Sequence, residues 1–287
     1  MSDRLLRAIT EDGCYRLAAA KTTETVCELV RRHEPSPMAA AALARAITSA
    51  ALLGTGEKDF YRVGLQWNGR GPFSVLIADV RPGGHLRGYV GEPDVKVDSV
   101  EAGVGAGVLT VTRQDPAARL VQGTLPIFSG TVDEDVEHYL RNSEQIPSRL
   151  RTFIDTDGRG FPVAVAGVLV QTLPGGASEA LLDEGGALST SALERSVRAE
   201  QSLESLLGDV APFQPFKVLR EEPLSFRCQC SLDRVERGVA MLGPEELLDM
   251  IACEEPAEVR CDFCSEEYRV DIPGLCRLYD KLIAESG

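Results

Sequence analysis

The sequence is poor in the residues and spacings that usually mark an active site. Its three histidines, His33, His85 and His138, are scattered, and each reads as a surface or capping residue rather than a catalyst. No GxSxG elbow and no HExxH helix is present, so the signatures of serine-elbow hydrolases and zinc peptidases are missing. The glycine-rich "VGAGVLTVT" enters a strand pattern instead of a helix and lacks the GK[ST] of a phosphate loop; it reads as a bend. "DEDVEH" reads as the acidic first turn of a helix. Long apolar runs are missing too. "PMAAAALARAITSAALLG" is broken by Arg45 and predicts a buried helix, not a membrane span, and "MSDRLLRAITEDG" has no secretory apolar core. The expectation is a soluble, cytoplasmic chain without enzymatic activity or a membrane partner.

Positive charge is scarce in one part only. Residues 1–175 carry 21 acidic and 19 basic side chains, whereas 176–287 carry 23 and 11, so nearly all of the net −14 is C-terminal. A field of that sign repels phosphate backbones and argues against a nucleic-acid partner. With 44% hydrophobic and 26% charged residues, the 287-residue chain can bury a main core and carry a smaller second unit.

Along the first part, strand and helix patterns alternate. "CYRLAAAKT" reads as a strand and "TTETVCELVRRH" as a helix; Ser36 and Pro37 then stand as N-cap and first residue of the alanine-rich helix that stops at Gly54. "FYRVGLQW", "PFSVLIADV" and "HLRGYVGE" follow as a β meander, with turns at "NGRG" and "RPGG", where Asn-Gly and Gly-Gly supply positive φ. "GVLTVTR", "RLVQGTLP" and "FPVAVAGVLVQTL" are further strands, with the helix "VDEDVEHYLRNSEQ" among them. "PGGASEALLDEGGA" breaks the pattern. Beyond it "SALERSVRAEQSLESLLG" predicts one amphipathic helix with a Ser191–Glu194 capping box and a stop at Gly208, and "DVAPFQPFKVLREEPLSF" an extended connector.

Cysteine is absent from the long middle of the chain and crowded at its end. Cys14 and Cys27 stand alone, while six of the eight cysteines fall in the last sixty residues. Among these, "CQC" (Cys228, Cys230) and "CDFC" (Cys261, Cys264) form two close pairs separated by thirty residues. Two such pairs suit a tetrahedral Zn²⁺, which favours sulfur. The bland alternative is four reduced cysteines that merely pack. A sixty-residue unit buries little core, and a metal would supply what the core lacks. Ser231 is expected to cap a short helix directly after Cys230, "GPEELLDMIA" to form a second, "AEVRC" and "EEYRVDI" a hairpin around "CDFC", and "PGLCRLYDKLIAE" a last helix. Cys253 and Cys276 fall in or beside helices and are read as packing residues rather than ligands. The expected fold class is α+β: a mixed α/β domain with a β meander (1–174), a helical linker (175–227) and a small zinc-binding α+β domain (228–287). Three further readings of the cysteines stay open: a zinc-ribbon nucleic-acid module, a thiol-disulfide oxidoreductase built on CxxC, and a permanent structural zinc.

The order of these parts, with "LQWNGRGPFSVLIAD", "RGYV", "SGTVDEDVEHYLRNSEQIPSRL" and "FRCQCSLDRV…CDFCSEEY", resembles the bacterial 33 kilodalton chaperonin family, the redox-regulated heat-shock proteins of that size. The resemblance runs nearly end to end. It implies an ATP-independent holdase, inactive while reduced and zinc-bound. Oxidation would convert Cys228, Cys230, Cys261 and Cys264 to disulfides 228–230 and 261–264, release the zinc, unfold the small domain and linker, and favour a homodimer. The partners so implied are unfolding client proteins. Leu193, Val197, Leu203, Leu206, Phe213 and Phe216 are the linker side chains expected to be hidden in one state and to bind clients in the other. The extra Cys253 and Cys276 and a shorter, less charged linker depart from the family pattern.

Overall fold

The computed structural model describes residues 2–54, 62–115, 117, 119–176, 188–211 and 215–286. Two compact units divide the chain, Met1–Arg227 and Cys228–Gly287. The first contains, in order, β1 (Arg4–Thr10), β2 (Tyr15–Lys21), α1 (Thr23–His33), α2 (Pro37–Leu53), β3 (Arg62–Gly69), β4 (Val75–Arg81), β5 (His85–Val90), α3 (Val100–Val104), β6 (Gly107–Gln114), β7 (Leu120–Pro126), α4 (Val132–Asn142), β8 (Ser148–Thr156), β9 (Pro162–Thr172), α5 (Thr190–Arg198), α6 (Leu203–Val210), β10 (Phe216–Pro223) and β11 (Ser225–Phe226). The second contains α7 (Leu232–Ala240), α8 (Pro244–Ala252), β12 (Ala257–Arg260), β13 (Glu267–Val270) and α9 (Ile272–Ser286). The architecture is α+β.

Helix α2 is the axis of the first unit. Ser36 caps it, accepting from the Ala39 N–H, and Pro37 supplies its first residue. Nearly every side chain from Ala39 to Leu53 is buried, because the helix lies between two sheets. On one side is the five-stranded sheet β10-β1-β2-β9-β8, on the other the six-stranded sheet β11-β5-β4-β3-β6-β7. Leu5, Ala18, Ala20, Leu150, Val165 and Leu169 from the first sheet and Val63, Leu65, Trp67, Leu76, Ala78 and Val111 from the second share one core with it. Small residues allow this close sandwich: a Cβ at Gly88 would lie 2.9 Å from Ile47, and one at Gly167 2.7 Å from Thr48.

Acidic residues on α4 lock the layers together. Asp133 accepts from the Thr152 N–H and hydroxyl and from Arg45, and Glu137 accepts from the Leu150 N–H, Arg149 and Arg151. Asp135 accepts from the Phe128, Ser129 and Gly130 N–H groups and from the Trp67 indole. "DEDVEH" does open a helix, yet Asp133, Asp135 and Glu137 are buried. Their donors come from Trp67 of β3, Arg45 of α2, β8 and the loop just before α4.

Three local expectations are corrected. Strand β3 runs on to Gly69, so the Asn-Gly pair lies in the strand, and the positive φ of that turn falls on Ser74 at 62°; the "RPGG" turn does place Gly83 and Gly84 at positive φ. The amphipathic segment after Leu188 is two helices, not one. Ser189 rather than Ser191 caps α5, Glu200 takes φ 51°, Ser202 caps α6, and α6 continues past Gly208 to Val210. The stretch read as an extended connector is the edge strand β10, antiparallel to β1, followed by β11, parallel to β5. Strand β1 itself was not anticipated, because its "RLLRAIT" does not alternate cleanly.

The described part of segment 175–227 belongs to the first unit. Leu193, Val197, Leu203 and Leu206 are buried with Leu207 and Val210 against Leu6, Ala8, Leu17, Ala19, Val168 and Val170, the face of the first sheet turned away from α2. Phe216 packs half-buried on the same layer, and Phe213 lies outside the described residues. Strand β11 is fastened by the Leu224 N–H to the Asp3 carbonyl, the Ser225 N–H to Gly84, the Arg227 N–H to Leu86, and the Arg32 guanidinium 4.9 Å over the Phe226 ring. Cys228 is the next residue.

Candidate metal centre

The C-terminal unit has a small core: Val239, Leu247, Ala257, Val270 and Leu275 are its buried apolar residues outside the cysteines. Two backbone devices bring sulfur to it. Cys228 and Cys230 lie on the extended stretch between β11 and α7, and Ser231 caps α7 by accepting from the Arg234 N–H. Cys261 and Cys264 lie on the turn of the β12–β13 hairpin. There Cys261 donates its N–H to the Glu266 carbonyl at 2.9 Å, and its own carbonyl accepts from Ser265 at 2.8 Å and Cys264 at 3.3 Å. Ser265 takes φ 57° to close this knuckle.

All four sulfurs lie within 4.8 Å of one another. Cys228 Sγ is 3.7 Å from Cys261 Sγ, and Cys230 Sγ is 3.3 Å from Cys264 Sγ. These are thiols, not disulfides. Around Zn²⁺ with Zn–S near 2.3 Å, tetrahedral geometry puts sulfurs about 3.8 Å apart, so four sulfurs within 4.8 Å of one another are near enough to share one such ion. The donor set fits as well, since thiolates favour a soft or borderline cation.

The thiols of Cys230, Cys261 and Cys264 differ in their electrostatics. Burial pushes the Cys261 and Cys264 thiols up, Cys264 most strongly. Burial also works against ionisation of Cys230, but the Tyr268 hydroxyl and the neighbouring sulfurs outweigh it, and the net shift is downward. Tyr268 donates to Cys230 Sγ at 3.1 Å. That hydrogen bond holds the Tyr268 hydroxyl well above its ordinary value, so it keeps its proton as a donor. A bound cation would draw all four toward thiolate.

The sequence singled out all four cysteines, but not Tyr268. Its place in "CDFCSEEYRV" carried a signal: a tyrosine on the strand that leaves the knuckle can turn its hydroxyl back onto the sulfurs. Cys253, exposed at the end of α8, and Cys276, half-buried on α9, stay outside the cluster. Cys14 is half-buried with its sulfur 3.8 Å from the carbonyls of Asp12 and Gly175, and Cys27 is exposed. "CDFC" sits in a β-hairpin turn and not at a helix start, so the setting of a dithiol oxidoreductase is not present. Among the described residues no helix is long and apolar enough to cross a membrane.

Comparison with known proteins agrees with this architecture. The model of the family described as "Hsp33 protein" matches residues 3–271. The 33 kDa chaperonin of Desulforamulus reducens is 34% identical, covering 98% of this chain and 99% of its own. That of Geobacter sp. (strain M21) is 36% identical over 99% and 98%. The crystal structure of the 33 kDa chaperonin (heat shock protein 33 homolog) of Thermotoga maritima superposes with a TM-score of 0.80 at 23% identity, covering 99% of this chain and all of that one. At that identity it speaks for the fold. With the family model spanning both units and relatives aligned nearly end to end, the chain belongs to the Hsp33 family, a family of chaperones.

Proposed function

We propose that this chain is a redox-regulated, ATP-independent holdase of the cytoplasm that protects unfolding and oxidatively damaged proteins from aggregation. In this reading residues 1–174 are the chaperone domain, 175–227 the linker and 228–287 the switch, with one Zn²⁺ on Cys228, Cys230, Cys261 and Cys264 in the reduced, inactive state. The observation that carries it is the convergence of four sulfurs in a unit with only five fully buried apolar side chains besides the cysteines. Zinc, when bound, holds the sulfurs as thiolates and ties the segment before α7 to the hairpin turn.

Oxidation removes those donors. A cysteine sulfur attacks one peroxide oxygen and becomes a sulfenic acid with loss of water; its partner then attacks that sulfur and expels a second water. Two peroxides thus take four electrons from the four sulfurs, giving disulfides 228–230 and 261–264. Disulfide sulfurs are poor ligands, so the metal leaves and the unit loses its fold. Leu193, Val197, Leu203, Leu206, Phe213 and Phe216 would then be released as client-binding surface, with dimerisation accompanying activation.

The test is to treat the reduced chain with peroxide at mildly raised temperature, following metal release with a chromogenic chelator and the aggregation of an unfolding client. Zinc release together with onset of protection is the expected result. Equal protection by the reduced chain would remove the switch, and retention of zinc under peroxide would leave a purely structural metal. Tyr268→Phe offers a finer check: losing the hydroxyl on Cys230 should weaken zinc retention by about tenfold in chelator competition, whereas an unchanged affinity would make Tyr268 a bystander.

A further inference from the structure

Strand β10 closes the edge of the first sheet with a weak seam. It pairs along the whole of β1, from Arg4 opposite Pro223 to Thr10 opposite Phe216, but the register slips between Arg7 and Ala8. Leu219 bulges out there and is 58% exposed. Arg7 stands opposite Arg220 across the ladder, a like-charge pair that costs stability. Glu222 bridges it, reaching Arg7 at 3.0 Å and Arg220 at 2.7 Å, while Glu221 holds Arg4 at 3.0 Å. The buried Arg7 Nε has no hydrogen-bond partner. Only Phe216 and Val218 of β10 turn onto the apolar layer, and both are half-buried. Five residues after β10 ends comes Cys228.

Removing β10 would leave three things side by side: the open N–H and C=O row of β1, an apolar shelf around Leu6 and Ala8, and two arginines stripped of their carboxylates. We infer that β1, once β10 is released, takes up an extended segment of an unfolding polypeptide in its place, with apolar side chains at the Phe216 and Val218 positions and carboxylates at those of Glu221 and Glu222. The step rests on the switch reading above, which supplies the release. Strand β10 itself specifies the occupant: it shows the length that pairs, the alternation that meets the shelf and the acidic end that meets Arg4 and Arg7. Main-chain pairing accepts many sequences, which suits a protein that must hold diverse clients. The two arginines tilt the choice toward acidic segments over basic ones.

The test uses a fluorescent peptide with the sequence of Phe216–Pro223 and the full-length chain, reduced with zinc or peroxide-treated, read by anisotropy beside the client-aggregation assay. The peptide should bind the oxidised chain at least about tenfold more tightly than the reduced one and compete with client. The bulge shifts the alternation, so two further peptides separate strand pairing from mere stickiness: one phase is N-methylated at Lys217, Arg220 and Glu222, whose N–H groups face β1, and the other at Val218 and Glu221, whose N–H groups face away. One phase loses the N–H groups facing β1 and should bind at least about tenfold more weakly, and the other should bind as the parent does. Equal binding of both phases, no binding to an oxidised chain that does protect clients, or an oxidised dimer whose own exchanged β10 keeps the peptide out would each overturn the inference while leaving the holdase reading intact. If oxidation neither releases zinc nor confers protection, the switch reading falls, and the reduced E221R/E222R variant tests the edge without it. Charge reversal against Arg4, Arg7 and Arg220 loosens β10, so phase-dependent peptide binding there upholds the inference and its absence overturns it.

Discussion

Cys264→Ser is expected to abolish metal binding at stoichiometric concentration and to unfold the C-terminal unit while the first unit keeps its own transition. Cys264 is the most buried of the four sulfurs, 4% exposed, and sits where the hairpin turn meets the segment before α7. Structural zinc in small domains contributes about 10–16 kcal/mol of apparent binding free energy, which is also folding free energy. The five buried apolar residues of this unit and the eight half-buried ones packed on them cannot replace it, since the core of so small a unit rarely supplies more than about 3–5 kcal/mol. Chelation of wild-type chain should mimic the variant and be reversed by added zinc; the variant should not be rescued. Hydrogen exchange separates the units directly: amides of α7 to α9 lose protection, while those of α2 and β9 keep theirs. Full protection of α7 to α9 in the variant would show that the sulfurs merely pack. The same variant should protect clients without oxidant if loss of the metal site is the activating event.

The cysteine cluster was legible in the sequence because its information is local. Each pair sits on its own short segment, Cys228 and Cys230 on the stretch before α7 and Cys261 and Cys264 on a turn, and the devices beside them, the Ser231 cap and the β12–β13 hairpin, involve neighbours within a few residues. Helix α2 was legible for the same reason, through its Ser36–Pro37 start and a small apolar run interrupted only by polar residues such as Arg45. What was missed depends on distant partners. The register of β10 on β1 joins residues more than two hundred apart, and "KVLREEP" is charged enough to read as a connector because an edge strand needs to bury little. The division between α5 and α6 was hidden by an apolar stripe that is continuous in helical register, although Ser202 carries the local signal of a second start. The acidic first turn of α4 was legible as a helix start, but the burial of Asp133, Asp135 and Glu137 shows only once β3 and β8 approach it.

That acidic turn carries the largest expected loss in the first unit. Asp135 is 2% exposed, and its four donors are all neutral: three backbone N–H groups of the loop before α4 and the indole of Trp67. Burial pushes its carboxyl above the ordinary value, and these hydrogen bonds only partly offset the shift. A carboxyl raised in the folded state binds its proton more readily there than in the unfolded chain. Its ionisation therefore lowers stability as pH rises from its ordinary value through the raised one, and the charge itself is not what favours the fold at neutral pH. The acceptor geometry is. Asp135→Ala should cost about 3–5 kcal/mol, because it leaves several buried donors without an acceptor, and should lower the melting temperature of this unit by roughly 10 °C. Asp135→Asn should cost less, since its oxygen can still serve the three loop amides while its NH₂ group opposes the Trp67 N–H. Trp67 is the single tryptophan of the chain, so its fluorescence reports the site itself as denaturant is raised. An alanine variant as stable as wild type would mean that water replaces the carboxylate at all four donors. An asparagine variant worse than alanine would mean that the donor clash at Trp67 outweighs the three loop bonds.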